Sequence, residues 1–242
     1  MMGRTHALTG WCAGLAAAPL AGLAGGPQVL VFAATTAGFA LLPDLDHPGA
    51  TASRFLGRIT GGISRLLRWS SRRLYAVTKG PRDERCSGQH RHLSHTVLFA
   101  LALGALTAVG TAAGGRWAVL AVLLFGLLLA DHVLGDLVGL AGAAGFVTLM
   151  VKSGGLVALD GVQVWLGIAV ALGCVVHDLG DAVTESGCPF LFPLLIAGET
   201  WYEIRPPQWL RFRTGKGFET WIVFPVLVVL SVMLVPGVLE AV

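Results

Sequence analysis

The sequence predicts an all-α membrane protein: a polytopic bundle of about seven transmembrane helices, with one basic amphipathic helix at the membrane interface. Of its 242 residues, 55% are hydrophobic and only 13% are charged, whereas soluble domains carry about 25% charged residues. The mean hydropathy is +0.73, and the apolar residues occur in blocks that approach the length of a membrane span. This composition excludes an ordinary soluble enzyme and a disordered chain.

The apolar blocks and the polar stretches between them indicate a single membrane domain that covers 1–242. The chain opens with two apolar runs separated by Gly25-Gly26-Pro27, which predicts two antiparallel helices. The predicted parts are a helical hairpin at 1–42, a basic loop at 43–95, central helices at 96–198, a second polar loop at 199–219 and a last helix at 220–242.

Seven apolar runs within these parts are predicted spans. A secretory signal peptide is the alternative for the first run, but the second run follows at once and no polar domain appears after it. The run at 137–151 is the weakest, and 190–197 is too short to span, which indicates a re-entrant or interfacial piece. The predicted spans are 7–24, 29–42, 97–113, 117–130, 137–151, 156–176 and 220–239.

The loop at 43–95 contains a basic amphipathic segment at 54–75. Apolar residues, among them Phe55, Ile59 and Ile63, recur at helical spacing, and arginines lie between them. This pattern predicts a helix in the headgroup layer, with the arginines of Arg54–Arg73 facing anionic lipid headgroups. Nucleic-acid binding is the alternative for a basic run, but the apolar stripe and the flanking spans disfavour it.

Positive charge sets the predicted topology. More than half of the 17 lysines and arginines fall between Arg54 and Arg91, so this loop is predicted to face the cytoplasm. Alternating the spans from that assignment places the 199–219 loop on the same side and the C-terminus outside. On this topology, the histidines and most carboxylates collect at the cytoplasmic ends of the helices.

This collection of polar side chains predicts a metal site between the helices. Imidazole and carboxylate ligands without thiolate favour Zn, Mn or Fe, and the four cysteines show no metal-binding spacing. More than four candidate ligands would suit two ions and hydrolysis of a phosphoester. The candidates are His6, Asp44, Asp46, His47, His90, His92, His95, Asp131, His132, Asp136, His177, Asp178, Asp181 and Glu219.

The sequence also contains two copies of His-x-Leu-Gly-Asp, at 132–136 and 177–181. Residues four apart lie on one face of a helix, so each copy is predicted to point an imidazole and a carboxylate into the bundle. A proton or cation path is the alternative for the cluster Asp131–Asp136, because charged groups within spans are usually functional.

Several motifs resemble those of the YdjM-type membrane-bound metal-dependent hydrolases. They are Leu-Leu-Pro-Asp-Leu-Asp-His-Pro at 41–48, His-Arg-His-Leu-Ser-His at 90–95 and His-x3-Asp-x2-Thr-x2-Gly-x-Pro at 177–189. Thr5-His6 precedes them and Gly215-x3-Glu219 follows, so the resemblance runs from 5 to 219. One family member is described as binding the LexA repressor, and no residue here matches that role.

The resemblance implies a hydrolase of the inner membrane that binds metal through residues at matching positions. This sequence departs from the family pattern at His92, where the family usually has glycine, and in the additional copy at 132–136. The implied metal ligands are His6, Asp44, Asp46, His95, His177 and Asp181.

The predicted function is therefore a metal-dependent hydrolase with its site at the cytoplasmic interface. One or two divalent ions are expected, zinc first and manganese or iron as alternatives, and the expected substrate is a phosphoester or ester of a lipid or lipid-linked molecule. Arg91 is predicted to hold an anionic group. The predicted general base or water-orienting residues are His90, His132, Asp136 and Glu219.

Two other functions are compatible with the same residues. The first is a metal or proton transporter, and the second is a non-catalytic scaffold whose basic loop recruits a partner. Membrane lipids are the expected partners in each case, and the glycine-rich helices also make a homodimer plausible.

Overall fold

The computed structural model describes residues 1–238, except for the side chains of Asp136 and Leu137. Within that part the chain is helical, with isolated β-bridges and no strand, which confirms the predicted fold class. The end of the predicted last helix, 239–242, lies outside the described residues. The helices are α1 (Gly3–Ala17), α2 (Gly26–Phe39), α3 (Thr51–Arg54), α4 (Arg58–Thr78), α5 (Val97–Leu134), α6 (Asp136–Lys152), α7 (Gln163–Ala182) and α8 (Phe224–Met233).

Helix α2 lies at the centre of the bundle and packs against α1, α5, α6 and α7. It forms the predicted hairpin with α1, and small residues bring the two backbones together. A Cβ at Gly10 of α1 would lie 2.9 Å from Ala37 Cα of α2, a contact that only glycine allows. The large side chain of Phe32 is fully buried in the surrounding core. This packing fixes the position of α2, and the 3₁₀ turn Pro43–Asp46 follows shortly after the helix ends.

Helix α5 is two helical runs, 97–114 and 116–134, that meet at Gly115. This glycine has φ 65° and ψ −160°, outside the helical region. Leu103 and Phe125 lie on opposite sides of it, yet they line the same cavities. A straight helix would hold them about 33 Å apart, so the chain reverses direction at Gly115. This reversal agrees with separate predicted runs at 97–113 and 117–130.

Helix α7 lies further along the chain than the run predicted at 156–176. Gly154, Gly155 and Gly161 all have positive φ and interrupt the apolar run before α7 begins. The helix then continues six residues beyond the predicted end. Similarly, α1 begins at Gly3 rather than at residue 7 and ends earlier than predicted. The polar residues predicted to flank these two helices therefore lie inside them.

Helix α4 corresponds to the predicted amphipathic segment. This basic helix lies on the outside of the bundle. It contacts α3 and the short turns at the two ends of the basic loop. Ile59, Ile63 and Leu66 are each about half exposed or more, at 66%, 49% and 62%. Such exposure is expected for a helix that lies against lipid. The predicted re-entrant piece at 190–197 contains turns and no α-helix, and Phe192 within it stacks on Trp201 at 3.8 Å.

Three helical segments of the described residues are long and apolar enough to cross a membrane: Gly26–Asp46, Val97–Leu134 and Gln163–Ala182. Two further apolar helices, Val138–Lys152 and Glu219–Met233, are shorter. Membrane character is thus supported by several helices. The predicted number of seven spans, and a crossing by 137–151, stay predictions.

Candidate metal centre

Four elements bring the implied metal ligands to one place between the helices. They are the first turns of α1, the 3₁₀ turns at the two ends of the basic loop (Pro43–Asp46 and Leu93–His95) and the last turns of α7. Only Asp44 among these ligands is partly exposed, with 23% of its side chain accessible. The residues brought together are His6, Asp44, Asp46, His95, His177 and Asp181.

Their ligand atoms form two groups that share His177, one from His6, His177 and Asp181 and one from Asp44, His95 and His177, and within each group the atoms lie within 4.8 Å of one another. His177 Nε2 lies 3.3 Å from His95 Nε2 and 3.8 Å from both Asp44 Oδ1 and Asp181 Oδ2. His95 Nε2 lies 4.0 Å from Asp44 Oδ1 and 3.5 Å from Asp181 Oδ2. Ligand atoms around a tetrahedral zinc ion are about 3.3–3.6 Å apart, given bonds of about 2.0–2.2 Å. The distances of 3.3–4.0 Å are close to this spacing, so they fit a zinc-sized ion held by imidazole and carboxylate ligands.

His6 lies next to the second carboxylate oxygen of Asp181, Oδ1. Its Nε2 lies 3.2 Å from Asp181 Oδ1, and its ring stacks on His177 with centroids 3.7 Å apart. The ring is fully buried, and neither nitrogen makes a hydrogen bond of good geometry to a described residue. Because a buried polar atom without a partner is costly, a cation bound beside His6 and Asp181 would satisfy an otherwise orphaned imidazole.

The backbone of α2 sets the orientation of His177. The Ala40 carbonyl accepts a hydrogen bond of 2.7 Å from His177 Nδ1. A carbonyl only accepts, so Nδ1 carries the proton and Nε2 presents its lone pair to the cluster. Gly173 makes this contact possible, because a Cβ there would lie 2.8 Å from the Ala40 nitrogen. The close approach of α7 to α2 therefore fixes the tautomer of a ligand.

Asp46 lies beside the cluster and belongs to neither of its two groups of ligand atoms. It accepts hydrogen bonds from His90 Nδ1 at 2.6 Å, from the Arg91 amide at 2.8 Å and from the Ser94 hydroxyl at 3.0 Å. Ser94 Oγ in turn lies 3.1 Å from His95 Nδ1. Carboxylates in this position orient the metal-binding imidazoles. The structure thus places Asp46 beside the ligands, where it would position them.

The charges around His95 favour its protonated form in the metal-free protein. Burial alone would lower the pKa of His95, but Asp46 and Asp181 outweigh burial and raise its pKa to about 9. The Arg91 guanidinium provides further positive charge, 3.0 Å from Asp181 Oδ2. The buried carboxylates thus carry negative charge that favours nearby cations. A divalent metal ion requires negative charge of this kind in its site.

Two further residues with predicted catalytic roles lie apart from the cluster. His132 is exposed, and its ring packs near Phe55 with centroids 5.4 Å apart. Glu219 is buried, and it accepts hydrogen bonds from the amides of Met2 at 2.6 Å and Gly215 at 2.7 Å. The structure therefore gives Glu219 a role in joining the N-terminal segment to the loop before α8. The side chain of Asp136 lies outside the described residues.

His92, the departure from the family pattern, points away from the metal ligands. Its Nδ1 donates to the His90 carbonyl at 2.9 Å, and its Nε2 lies 3.4 Å from Cys86 Sγ. The ring sits between Tyr75 and Trp201, with centroids 4.7 and 5.3 Å away. Burial lowers the pKa of His92. This histidine thus forms a separate pair with a cysteine on the same loop.

Sequence reasoning did not select Ser94, and it included Asp178 among the candidates without assigning it a role. Ser94 connects Asp46 to His95, and the only signal for it was a hydroxyl next to a candidate ligand. Asp178 is fully buried in α7, and neither of its carboxylate oxygens has a hydrogen-bond partner among the described residues. Its position directly after His177 was visible in the sequence, but its burial depends on how α7 packs.

Comparison with known proteins gives one match. A family model described as YdjM inner membrane protein matches residues 1–239. No curated protein and no solved structure matches the chain significantly. The match covers every element that contributes a ligand, and it agrees with the motif resemblance.

Proposed function

The chain belongs to the YdjM inner membrane protein family, and we propose that it is a membrane-embedded, metal-dependent hydrolase. The observation that carries this proposal is that ligand atoms of His95, Asp44 and Asp181 lie 3.3–3.8 Å from His177 Nε2. Zinc is the ion that this donor set and spacing fit best, with manganese or iron as alternatives. A bound ion would lower the pKa of a water ligand and polarise a phosphoryl or acyl oxygen.

His90 is the residue best placed to accept a proton in this reaction. Its side chain is 39% exposed at the edge of the cluster, and its Nδ1 lies 2.6 Å from Asp46 Oδ1. With Nδ1 donating to the carboxylate, Nε2 is left free to take a proton from water. An imidazole held by a carboxylate is a common arrangement for general-base catalysis.

Arg91 is the candidate for holding the anionic part of the substrate. Its guanidinium contacts Asp181 at 3.0 Å and the Thr184 hydroxyl at 3.4 Å, and 19% of its side chain is exposed. A guanidinium has five N–H donors, so the remaining donors are free to bind a phosphate or carboxylate oxygen. In this proposal Arg91 orients an anionic ester beside the ligand cluster.

The depth of the ligands in the helices supports hydrolysis over transport. Transporters commonly bind their ions near the middle of the membrane, at broken helices. Here the ligands occupy the first turns of α1, the turns next to α2 and α5, and the last turns of α7. All of these are helix ends. The charge of the neighbouring basic loop supports a cytoplasmic position for this layer.

The proposal is tested by metal analysis and hydrolysis with the full-length protein in detergent. We expect about one or two equivalents of bound metal, and metal-dependent hydrolysis of bis-p-nitrophenyl phosphate or p-nitrophenyl butyrate. The double variant Asp44→Asn/His177→Gln should lose both, whereas the matched variant His132→Gln should retain both. Protein that stays metal-free after incubation with zinc and manganese would overturn the proposal, as would unchanged hydrolysis in a folded double variant.

A further inference from the structure

One flank of α4 forms a groove that is rich in arginine and has a volume of 480 Å³. Four guanidinium groups line this cationic groove, and no carboxylate does. None of the ion pairs among the described residues involves these arginines. Unneutralised guanidinium groups around one cavity are typical of a phosphate site. The four residues are Arg54, Arg58, Arg65 and Arg68.

Two polar atoms in the cationic groove lack a partner. Ser64 lines the groove and is only 2% exposed, and its hydroxyl makes no hydrogen bond to any described residue. The Nε atom of Arg68 is buried and likewise has no partner in that part of the chain. Both groups can donate to an oxygen acceptor. An anion with several oxygens would therefore satisfy both donors and the surrounding positive charge.

A second groove, with a volume of 570 Å³, lies between α4 and α5. Its lining is almost entirely apolar. Ile63, Leu66 and Leu67 of α4 form one wall, and Phe99 and Phe125 of the two α5 runs form another. Because α5 is among the segments apolar enough to cross a membrane, this apolar groove faces the hydrocarbon side of the interface. Its chemistry fits an alkyl chain.

The turn that carries Asp44 joins the two grooves. Leu42 and Leu45, on either side of Asp44, line the apolar groove. Pro48, a few residues further on, lines the cationic groove. A molecule with an alkyl chain in one groove and an anionic group in the other would therefore extend along the turn that supplies a metal ligand.

We propose that α4 and this turn form a binding site for an anionic phospholipid. The acyl chain occupies the apolar groove, and the phosphate contacts the arginines and Ser64 of the cationic groove. The identification of this lipid as the substrate rests on the proposed hydrolase function, because the site leads to the metal ligands. Binding of the lipid does not depend on the metal, so the two proposals can fail separately.

The test uses phosphatidylglycerol with a fluorescent acyl chain as the probe, and the purified full-length protein in detergent. Leu103 lines the apolar groove, and Leu101 lies on the same helical run but is exposed outside it. We expect Leu103→Trp to weaken probe binding about tenfold because the indole fills the groove, whereas Leu101→Trp should bind as the native protein does.

The cationic groove is tested by a second matched pair. Arg65→Gln/Arg68→Gln should weaken phosphatidylglycerol binding about tenfold or more, and should abolish the preference over phosphatidylcholine. Arg72→Gln/Arg73→Gln removes the same charge from the same helix outside the groove, and should have little effect. Equal binding of both lipids to the native protein would overturn the proposal. Full competition by glycerol phosphate at equal concentration would indicate a site for the phosphate alone and would also overturn it.

The metal-site variant separates this proposal from the hydrolase proposal. Asp44→Asn/His177→Gln should bind phosphatidylglycerol normally, because neither residue lines a groove. Lipid binding without metal or hydrolysis in the native protein would preserve the lipid site and overturn the enzyme. Metal-dependent hydrolysis of the chromogenic esters without lipid binding would do the opposite.

Discussion

Two stretches of this chain share the pattern His-x-Leu-Gly-Asp, but their histidines differ in position: His177 belongs to the ligand cluster, whereas His132 lies apart from it. In 177–181 the whole motif lies inside α7. His177 and Asp181 therefore share one face, with Nε2 and Oδ2 3.8 Å apart. In 132–136 the helix is broken within the motif: α5 ends, Gly135 adopts φ 73° and ψ −167°, and α6 begins at the aspartate. Residues four apart share a face only within one continuous helix, so the spacing does not predict a shared face across this break.

The glycine at the fourth position explains the difference. A Cβ at Gly180 would lie 2.2 Å from Met1 Cε and 3.3 Å from the imidazole of His6, so this glycine allows α7 to pack tightly against the N-terminal segment and α1. A Cβ at Gly135 would meet no described atom within 4 Å, so glycine is needed there only for its backbone conformation. The same residue permits close packing in one copy and a helix break in the other. A motif of this kind predicts a ligand pair only where the helix continues.

The strongest test of this contrast removes one imidazole from each copy. His177 belongs to both groups of converging ligand atoms, so His177→Ala should lower zinc affinity by roughly 100-fold or more. His132→Ala should leave the affinity unchanged, because His132 is exposed and apart from the cluster. Competition with a chromogenic chelator measures both. Equal losses in the two variants would mean that the two copies act together.

A second test uses pH, to which the cluster should respond because of His95. The pKa of His95 is raised to about 9, so at pH 7 a metal ion must displace a proton from this ligand. Zinc affinity should therefore rise about tenfold per pH unit between pH 7 and 9, and should level off above the pKa. Isothermal titration calorimetry in buffers of different ionisation enthalpy counts the released protons. Affinity that does not change over this range would contradict a protonated His95.

A smaller effect is expected from the hydroxyl that supports the cluster. Ser94→Ala removes the link between Asp46 and His95, so zinc affinity should fall about tenfold while the ligands themselves remain. Ser53→Ala is the matched control, because Ser53 is also buried but donates only to the Ala50 carbonyl. If the two alanine variants bind zinc alike, Ser94 does not orient His95.

The smallest effects should come from the two glycines. Gly180→Ala would displace the Met1 side chain and crowd the His6 ring, and it should reduce zinc affinity by a few-fold, up to about tenfold. Gly135→Ala should instead destabilise the protein by about 1–2 kcal/mol, because the left-handed region disfavours a side chain, with zinc affinity unchanged. Zinc titration and thermal unfolding of both variants separate the effects. Reduced zinc affinity in Gly135→Ala would show that the break at 134–136 supports the site.

The convergence of the ligands could be predicted from the sequence because it depends on helix ends. Apolar runs located those ends closely enough to bring His6, His95 and His177 to one layer, even though α1 and α7 are displaced from their predicted bounds. The roles of Asp46 and Ser94 could not be predicted in the same way. They depend on ring orientation and on hydrogen bonds between distant segments, which spacing along one helix does not determine.

The exposed position of His132 has the same origin. The break at Gly135 requires a positive φ, and a glycine in the sequence does not reveal whether it adopts one. Gly180 and Gly135 stand in identical local patterns, and only their neighbours in the folded chain distinguish them. The predicted number of spans depends in the same way on glycine conformations, such as the reversal at Gly115.

The order of these residues along the chain also bears on how the protein is made. The groups that contact the His177 ring and the Asp181 carboxylate include His6, the Ala40 carbonyl and His95, and these three precede α7 in the sequence. The ribosome has therefore synthesised them before α7 emerges. The end of α7 that carries His177 and Asp181 is made after these partners, and its arrival completes the ligand set.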